Sequence, residues 1–304
     1  MKTPNSALVL RLGIYGVLVY LAQFAARHAV SMVSRKGWAW DSRAYYDAFE
    51  GGVYTGTPGK LGSFNYTPAV AQIVWPFTHL PWVVFATLTV AAAAIGVWWL
   101  LRPLGWFTKT LGWCICSVQV ASGNIDWLLA VMAVLGVTRG GPWALVALTK
   151  MAPTWGPVWF AARGEWRNLA KFVLTLVVVV AISVATVPHL WVEWFDFVRE
   201  HSGEKPGMFR ELLPPLPLRM AFAFALVVYG ARTSRRWTIP VAMLCAAPVP
   251  GTGPWALLAG LPRMLEMDRA ERAGGEVSAA DGVAARRSSG AEAAEQSTTW
   301  VENP

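Results

Sequence analysis

The chain has 304 residues, of which 55% are hydrophobic and only 14% are charged, and its net charge is +8. Soluble domains carry about 25% charged residues, and several apolar segments here approach the roughly 20 residues that cross a bilayer. This composition excludes an ordinary soluble domain. Lys and Arg occur in short clusters between apolar segments, the pattern of cytoplasmic loops, so we expect no nucleic-acid partner. The sequence predicts an all-α, polytopic integral membrane protein.

The apolar segments place the predicted helices in the first half of the chain. Ser6 to His28 is too long for a signal-peptide core and predicts an uncleaved first membrane helix. A polar segment, residues 31–65, follows. After a short surface helix, residues 81–101 are expected to span the membrane. Residues 104–121 are then expected to cross back, and residues 127–137 to return.

Two later apolar segments are interrupted by proline and glycine. Residues 142–162 contain a break at 151–157, and residues 239–265 contain one at 248–254. Such residues are tolerated at membrane depth where the freed backbone groups face protein or a water-filled cavity. Each segment therefore predicts two half-length, re-entrant helices that form a V and enter and leave on the same side.

The positive-inside rule orients the chain with its N-terminus in the cytoplasm. The basic residues then placed in inner loops are Arg102, Lys109, Arg139, Arg163, Arg167, Lys171, Arg232, Arg235, Arg236, Arg263 and Arg269. A full crossing by residues 142–162 would move the cluster at 163–171 outside. We expect the polar segments 31–65 and 189–213 on the outer face. Residues 1–267 form one predicted domain, and residues 268–304, with few apolar side chains, a predicted disordered cytoplasmic tail.

An aspartate in the first outer segment stands out. The stretch WAWDSRAYYDA, from Trp38 to Ala48, places Asp41 next to Arg43 among indoles and phenols. An acid in an outer loop is ordinarily solvated. Trp and Tyr are typical of the membrane interface, where an acid is partly desolvated. Asp41 is therefore our first candidate functional residue.

Further polar residues lie at the ends or breaks of apolar segments. Lys150 precedes the first break, where it either snorkels to a headgroup or binds an anion near a half-helix end. Asn124 and Asp126 lie at a helix start, a position that suits both helix capping and substrate binding. The three cysteines are inside apolar segments, and the four histidines lack metal-ligand spacing, so we expect no metal site.

Four short motifs in this order are similar to a known family. They read Asp41-Ser42-Arg43-Ala44-Tyr45-Tyr46-Asp47-Ala48 with Gly52-Val53-Tyr54, then Phe64-Asn65-Tyr66-Thr67-Pro68, Gly123-Asn124-Ile125-Asp126, and Lys150-Met151-Ala152-Pro153. The pattern resembles the GT-C superfamily of membrane glycosyltransferases. Within it, the pattern is most similar to the polyprenyl-phosphate-mannose-dependent α-1,2-mannosyltransferases of bacterial envelope biosynthesis. Asn124 and Asp126 stand where those proteins carry Gln and Asn, and the chain is short for that family.

The resemblance implies a GT-C fold in the plasma membrane, with a catalytic loop on the outer face. A hexose, expected to be mannose, passes with inversion from a polyprenyl-phosphate donor to a glycan or glycolipid acceptor. Asp41 is the expected general base, and Arg43 and Lys150 bind the donor phosphate. The expected sugar or acceptor ligands are Tyr45, Tyr46, Asp47, Tyr66, Asn124 and Asp126, although packing in an aromatic belt also accounts for the tyrosines. No cofactor is expected.

Two other interpretations fit the same residues. Broken helices and charges at membrane depth also mark the substrate path of a transporter or lipid flippase. The short C-terminal half, in turn, suits a catalytically inactive relative that serves as an assembly subunit. The polar residues gather toward one face, which favours an enzyme.

Overall fold

The computed structural model describes residues 6–58, 60, 62–201, 213–248 and 252–273, and within these ranges it is helical and has no strand. The α-helices are α1 (Ser6–Lys36), α2 (Arg43–Tyr46), α3 (Pro68–Val74), α4 (Trp82–Leu101), α5 (Trp106–Ser122), α6 (Asp126–Gly136), α7 (Trp143–Thr149), α8 (Gly156–Arg163), α9 (Trp166–Thr186), α10 (Pro188–Glu200), α11 (Leu216–Arg232), α12 (Thr238–Cys245) and α13 (261–273). Segments Asp47–Phe49, Trp75–His79 and Gly253–Gly260 are 3-10 helices. The predicted all-α fold is confirmed.

Helices α1, α4 and α9 are long and apolar enough to cross a membrane, as an integral membrane protein requires. Helices α5 and α6 pass the same test only together, and a bend of 118° separates them. Because α6 has 11 residues, it is about 16 Å long, roughly half of the hydrocarbon thickness. Helix α6 is therefore too short to cross the hydrocarbon on its own, and the predicted return over residues 127–137 stays a prediction.

Both interrupted segments consist of two helical pieces, as predicted. Helices α7 and α8 are separated at residues 150–155, and α12 is separated from the 3-10 segment Gly253–Gly260. The carbonyls freed near each break have partners within the chain. The Thr67 hydroxyl donates to the Leu148 carbonyl at 2.8 Å, and Arg219 Nη1 donates to the carbonyls of Cys245 and Ala247 at 3.2 and 2.8 Å. Side chains thus replace the hydrogen bonds that a continuous helix would make.

A single indole fixes the first break in the core. Trp143 is fully buried, and a Cβ added at Gly136 or at Gly156 would lie within 2.7 Å of its ring. Only glycine lets α6 and α8 approach the ring this closely. Trp143 therefore holds α6, α7 and α8 together and sets where Lys150 emerges.

Two helices extend into segments that were expected to be loops. Helix α1 continues to Lys36 rather than ending at His28, and α10 covers the start of the polar segment 189–213. The rest of that segment, residues 202–212, lies outside the described residues. One side of α10 buries Trp194 and Phe197.

The packed domain extends past the predicted start of the tail. Residues 268–273 belong to α13, and Asp268 is 1% exposed. Its carboxylate accepts hydrogen bonds from the backbone N–H groups of Arg236 and Trp237 and from the Arg236 guanidinium. The polar composition of residues 268–304 did not predict that Asp268 is buried, because its partners Arg236 and Trp237 are distant in the sequence. Residues 274–304 lie outside the described part of the chain.

Candidate active site

The loop that carries Asp41 is docked on the C-terminal end of α5 by backbone hydrogen bonds. The N–H groups of Ala39 and Asp41 donate to the carbonyls of Ala121 and Ser122, at 2.7 and 2.9 Å. These carbonyls are free because they lie in the last turn of a helix. The loop therefore supplies hydrogen-bond donors to the last carbonyls of α5, and this contact sets the position of Asp41.

A glycine makes this docking possible. Gly123 ends α5 in the left-handed conformation, with φ of 68°, which glycine adopts without a steric penalty. A Cβ at this position would lie 2.0 Å from Ser42 Oγ. Ser42 is fully buried and donates to the Gly123 carbonyl at 3.2 Å. The close approach of the loop to the helix end therefore requires glycine for two independent reasons.

A chain of polar contacts runs from Asp41 to Lys150. Asn124 Nδ2 donates to Asp41 Oδ2 at 3.1 Å, and Asn124 Oδ1 accepts from the Asp126 backbone N–H at 3.3 Å. The Asp126 carboxylate forms an ion pair with the Lys150 ammonium. Two carboxylates, one amide and one ammonium from three separate segments thus form one cluster, hereafter the Asp41–Lys150 cluster.

The side chain of Asn124 makes two contacts. Its oxygen accepts from the backbone N–H of Asp126, the first residue of α6, which directly follows the N-cap residue Ile125. Its nitrogen donates to Asp41 Oδ2. Asn124 therefore links the start of α6 to the carboxylate of Asp41, and its part in substrate binding stays a prediction.

The environment of Asp41 raises its proton affinity. Burial raises the pKa of the Asp41 carboxyl above its usual value, and the hydrogen bond from Asn124 and the charge of Lys150 only partly oppose this shift. A buried carboxylate with a raised pKa is a stronger base than a solvated one. The solvated-loop interpretation of Asp41 does not fit its half-buried position.

Two phenols lie beside the cluster. The hydroxyls of Tyr45 and Tyr66 are 3.1 Å apart. Burial raises the pKa of both tyrosines, so both hydroxyls stay protonated at neutral pH. One hydroxyl donates to the other, which leaves one hydroxyl hydrogen for a further acceptor. The charges of Asp41, Asp126 and Lys150 act on Tyr66, which places this hydroxyl within electrostatic range of the cluster.

Three other predicted site residues gather elsewhere. Arg43 pairs with Asp47 at 3.3 Å, and its guanidinium lies 3.8 Å from the centre of a Trp82 ring. The Tyr46 hydroxyl donates to the Leu80 carbonyl at 2.8 Å, and its ring packs edge-on against Trp82. The structure therefore divides the predicted residues into two groups, and Arg43, Tyr46 and Asp47 contact none of the Asp41–Lys150 cluster directly.

Gln119 is a polar residue near the cluster that sequence reasoning missed. It is 1% exposed in α5, and its Oε1 has no hydrogen-bond partner. A Cβ built on Gly253 would lie 2.9 Å from Gln119 Nε2 and 3.8 Å from Asp126 Oδ2, so both side chains line the same side of this glycine. A buried amide inside an apolar helix was the available signal. In the described part of the chain, no three His, Cys, Asp or Glu side chains come together as a metal site would require.

The fold and the Asp41–Lys150 cluster define a class of protein. It is an all-α, polytopic integral membrane protein whose clustered polar and charged side chains lie at helix ends and helix breaks. Residues 64–274, more than two thirds of the chain, match the family described as Glycosyltransferase family 87. The chain belongs to this family, and it is a glycosyltransferase that takes a sugar donor and an acceptor. No curated protein and no solved structure matches it.

The match includes part of the cluster but not all of it. Tyr66, Asn124, Asp126 and Lys150 lie inside the matched residues, whereas Asp41 precedes them. Asp41 is connected to the matched part through the Asn124 side chain.

Proposed function

We propose that the chain is a GT-C glycosyltransferase that transfers a hexose, in the first instance mannose, from a polyprenyl-phosphate donor to a hydroxyl of a glycan or glycolipid. The observation that carries this proposal is the contact between Asp41 and the Asn124–Asp126–Lys150 chain. It joins a basic carboxylate to a cation next to two neutral phenols. The choice of mannose and of a polyprenyl carrier follows from the motif resemblance.

In the proposed step, the acceptor hydroxyl gives its proton to the Asp41 carboxylate as its oxygen attacks the anomeric carbon. The bond from that carbon to the phosphate oxygen breaks, and polyprenyl phosphate leaves with the electron pair. Attack from the face opposite the leaving group inverts the anomeric configuration. One carboxylate is sufficient, because a phosphate leaving group needs little acid assistance.

The other members of the cluster have supporting roles in this proposal. Asn124 donates to Asp41 Oδ2 and so holds the carboxylate that takes the acceptor proton. Lys150 offsets the charge of the departing phosphate, and Tyr45 and Tyr66 form hydrogen bonds with sugar hydroxyls. Asp126 keeps Lys150 in place and also contacts the sugar. Arg43 is the second proposed phosphate ligand, two residues from Asp41 in the same loop, and Tyr46 and Asp47 complete the proposed sugar and acceptor ligands.

We also propose the orientation that the basic residues favour. The N-terminus and the C-terminal tail are cytoplasmic in this arrangement, and the Asp41 loop faces the extracytoplasmic side of the plasma membrane. A lipid-linked donor and an envelope glycan acceptor would meet there.

The test is sugar transfer by the full chain reconstituted in liposomes with polyprenyl-phosphate-mannose and envelope glycolipid acceptors. We expect Asp41→Asn to reduce transfer by about 100-fold or more, because the general base is lost. The matched control is Glu50→Gln, which removes an exposed acid from the same loop and is expected to transfer at the wild-type rate.

The outcomes separate the hypotheses. Equal activity of Asp41→Asn and wild type would remove Asp41 from the mechanism. If the folded wild-type protein transfers no sugar from any of a panel of lipid-linked donors, the chain is an inactive relative. ATP-independent movement of the donor across the liposome membrane without transfer would indicate a flippase instead.

A further inference from the structure

A cavity lies at the end of α1, next to the Asp41 loop. It has a volume of about 260 Å³. Its lining residues are Lys36, Gly37, Trp38, Trp40, Arg43, Gly62 and Trp82. Two of these side chains are cationic, three are indoles and none is a carboxylate. None of the Asp41–Lys150 cluster lines this cavity, so it is a separate feature, hereafter the Lys36–Arg43 cavity.

Two contacts hold the guanidinium in this cavity. The central carbon of Arg43 lies 3.8 Å from the centre of a Trp82 ring, and Arg43 pairs with Asp47 at 3.3 Å. Cation–π contact with an indole favours one orientation of the planar fork. Guanidinium has five N–H donors, and the bond to Asp47 uses one of them. Donors therefore remain for an oxyanion.

The second cation and the surrounding surface leave the cavity accessible. Lys36 is exposed at the last turn of α1. A Cβ at Gly37 would find no heavy atom within 4 Å, so the backbone there borders open space. Trp38 is 40% exposed, whereas Trp40 is 4% exposed and forms a fixed wall. An anionic group with a short apolar extension could enter between the two cations.

Helix lengths place the cavity at the membrane surface. Helix α1 has 31 residues and is about 46 Å long, so its end projects beyond the roughly 30 Å of hydrocarbon. Helix α4 begins at Trp82 and has 20 residues, which is about one hydrocarbon thickness. The cavity lies where these two spanning helices end, at the depth at which indoles and lipid phosphates both reside.

We propose that the Lys36–Arg43 cavity binds the phosphate group of a membrane lipid. Arg43 and Lys36 contact the phosphate oxygens, and the indoles cover the first carbons of the attached chain. The phosphate comes either from a polyprenyl phosphate or from an anionic phospholipid; the first source rests on the proposed function. This adds Lys36 and the indoles of Trp38, Trp40 and Trp82 to Arg43, which is already a proposed phosphate ligand.

The test is equilibrium binding to the full-length, lipid-stripped protein in detergent, measured by native mass spectrometry. Three probes are titrated: polyprenyl monophosphate, phosphatidylglycerol, and polyprenol, which lacks the phosphate. We expect the double variant Lys36→Gln/Arg43→Gln to weaken binding of polyprenyl monophosphate by about tenfold or more. Polyprenol binding should be the same in all proteins.

The matched control is Arg35→Gln. Arg35 is a neighbouring cation at the same helix end whose Nε donates to the Ser31 carbonyl at 3.1 Å, and it does not line the cavity. Its loss is expected to change binding less than twofold. Unchanged binding in the double variant would overturn the proposal, as would equal weakening by Arg35→Gln, which would indicate only general surface charge.

The probes distinguish the two sources. If only polyprenyl monophosphate responds to the double variant, the cavity serves the donor; if phosphatidylglycerol responds equally, it serves anionic phospholipid headgroups. Both results support a lipid-phosphate site. Because binding is measured without transfer, charge-dependent binding to a protein that transfers no sugar would refute the proposed function alone. If the protein transfers sugar but lipid binding does not depend on Lys36 and Arg43, only the proposal of a lipid-phosphate site in the cavity would be refuted.

Discussion

Asp268 and Asp126 are each buried against a cation, and their surroundings differ. Asp268 accepts two backbone N–H groups in addition to Arg236, and Arg236 also pairs with Glu271. Asp126 has its ion pair with Lys150, whose side chain is 27% exposed, compared with 15% for that of Arg236. The Asp268 pair ties α13 to the start of α12. The Asp126 pair adjoins a second carboxylate, Asp41.

The difference separates a structural pair from a pair suited to chemistry. Buried ion pairs contribute little net stability compared with apolar packing, because desolvation offsets the attraction. Asp268 offsets its desolvation with backbone donors and connects two helices. The Asp126 pair instead keeps an ammonium beside Asp41 and two phenols, where a phosphate would need it.

The largest expected effect comes from breaking each pair. Arg236→Gln and Lys150→Gln each leave a buried carboxylate without its cation, which costs about 3–5 kcal/mol for a fully buried pair, and less for the more exposed Lys150. We expect transfer per folded molecule to fall about 100-fold in Lys150→Gln and to stay within about twofold of wild type in Arg236→Gln. Thermal unfolding in detergent and transfer in liposomes measure the two effects separately.

A second substitution sharpens this comparison. Asp126→Asn added to Lys150→Gln removes both charges, and it should recover much of the stability but not the activity. The idea that Lys150 serves catalysis fails if this doubly neutral protein transfers sugar at the wild-type rate.

The next effect concerns two helix-ending glycines with the same backbone conformation. Gly123 and Gly164 have φ of 68° and 69°, but only at Gly123 would a Cβ meet a side chain, Ser42 Oγ at 2.0 Å. Gly164→Ala is expected to cost about 1–2 kcal/mol from backbone strain alone. Gly123→Ala should cost more and should also lower transfer, because the Asp41 loop must move away from α5. Unfolding midpoints and transfer rates check both.

Relief of the clash supplies the control. Ser42→Ala in the Gly123→Ala background removes the hydroxyl, and it should regain part of the lost stability. Equal destabilisation by Gly123→Ala and Gly164→Ala would show that the loop does not press on the helix end.

A smaller effect follows from the raised pKa of Asp41. An acid whose pKa is higher in the folded state stabilises the fold below its unfolded pKa, and this contribution is lost as the pH rises through the folded pKa. Asp41→Asn should therefore have a higher unfolding temperature than wild type at neutral pH, and the difference should shrink in acid. Wild-type transfer should rise with pH through the same pKa. A less stable Asp41→Asn at neutral pH would contradict this sign.

The sequence predicted those parts of the site that depend on local pattern. Proline and glycine located both breaks, and a charged residue beside a break identified Lys150. The apolar lengths identified α1 and α4 as spans. These features depend on residues that are neighbours in the chain, which a pattern can register.

What sequence reasoning could not supply was pairing between distant segments. Lys150 and Asp126 pair across 24 positions, and Asn124 reaches Asp41 across 83. Burial of Asp268 was hidden for the same reason, since composition alone does not indicate which backbone donors a folded chain presents. The apolar pattern likewise did not reveal the angle between α5 and α6, which is 118°.

The smallest expected effect tests the exposed counterpart of these buried pairs. Arg43 and Asp47 pair one helical turn apart, with side chains 45% and 40% exposed. Exposed pairs at this spacing contribute only about 0.3–0.5 kcal/mol, so Asp47→Asn should barely change the unfolding midpoint, and the Trp82 ring should keep Arg43 in place. Binding of polyprenyl monophosphate should stay the same or tighten slightly, because Arg43 then has one more free donor. A loss of binding comparable to that of Lys36→Gln/Arg43→Gln would instead mean that Asp47, rather than Trp82, sets the orientation of the guanidinium.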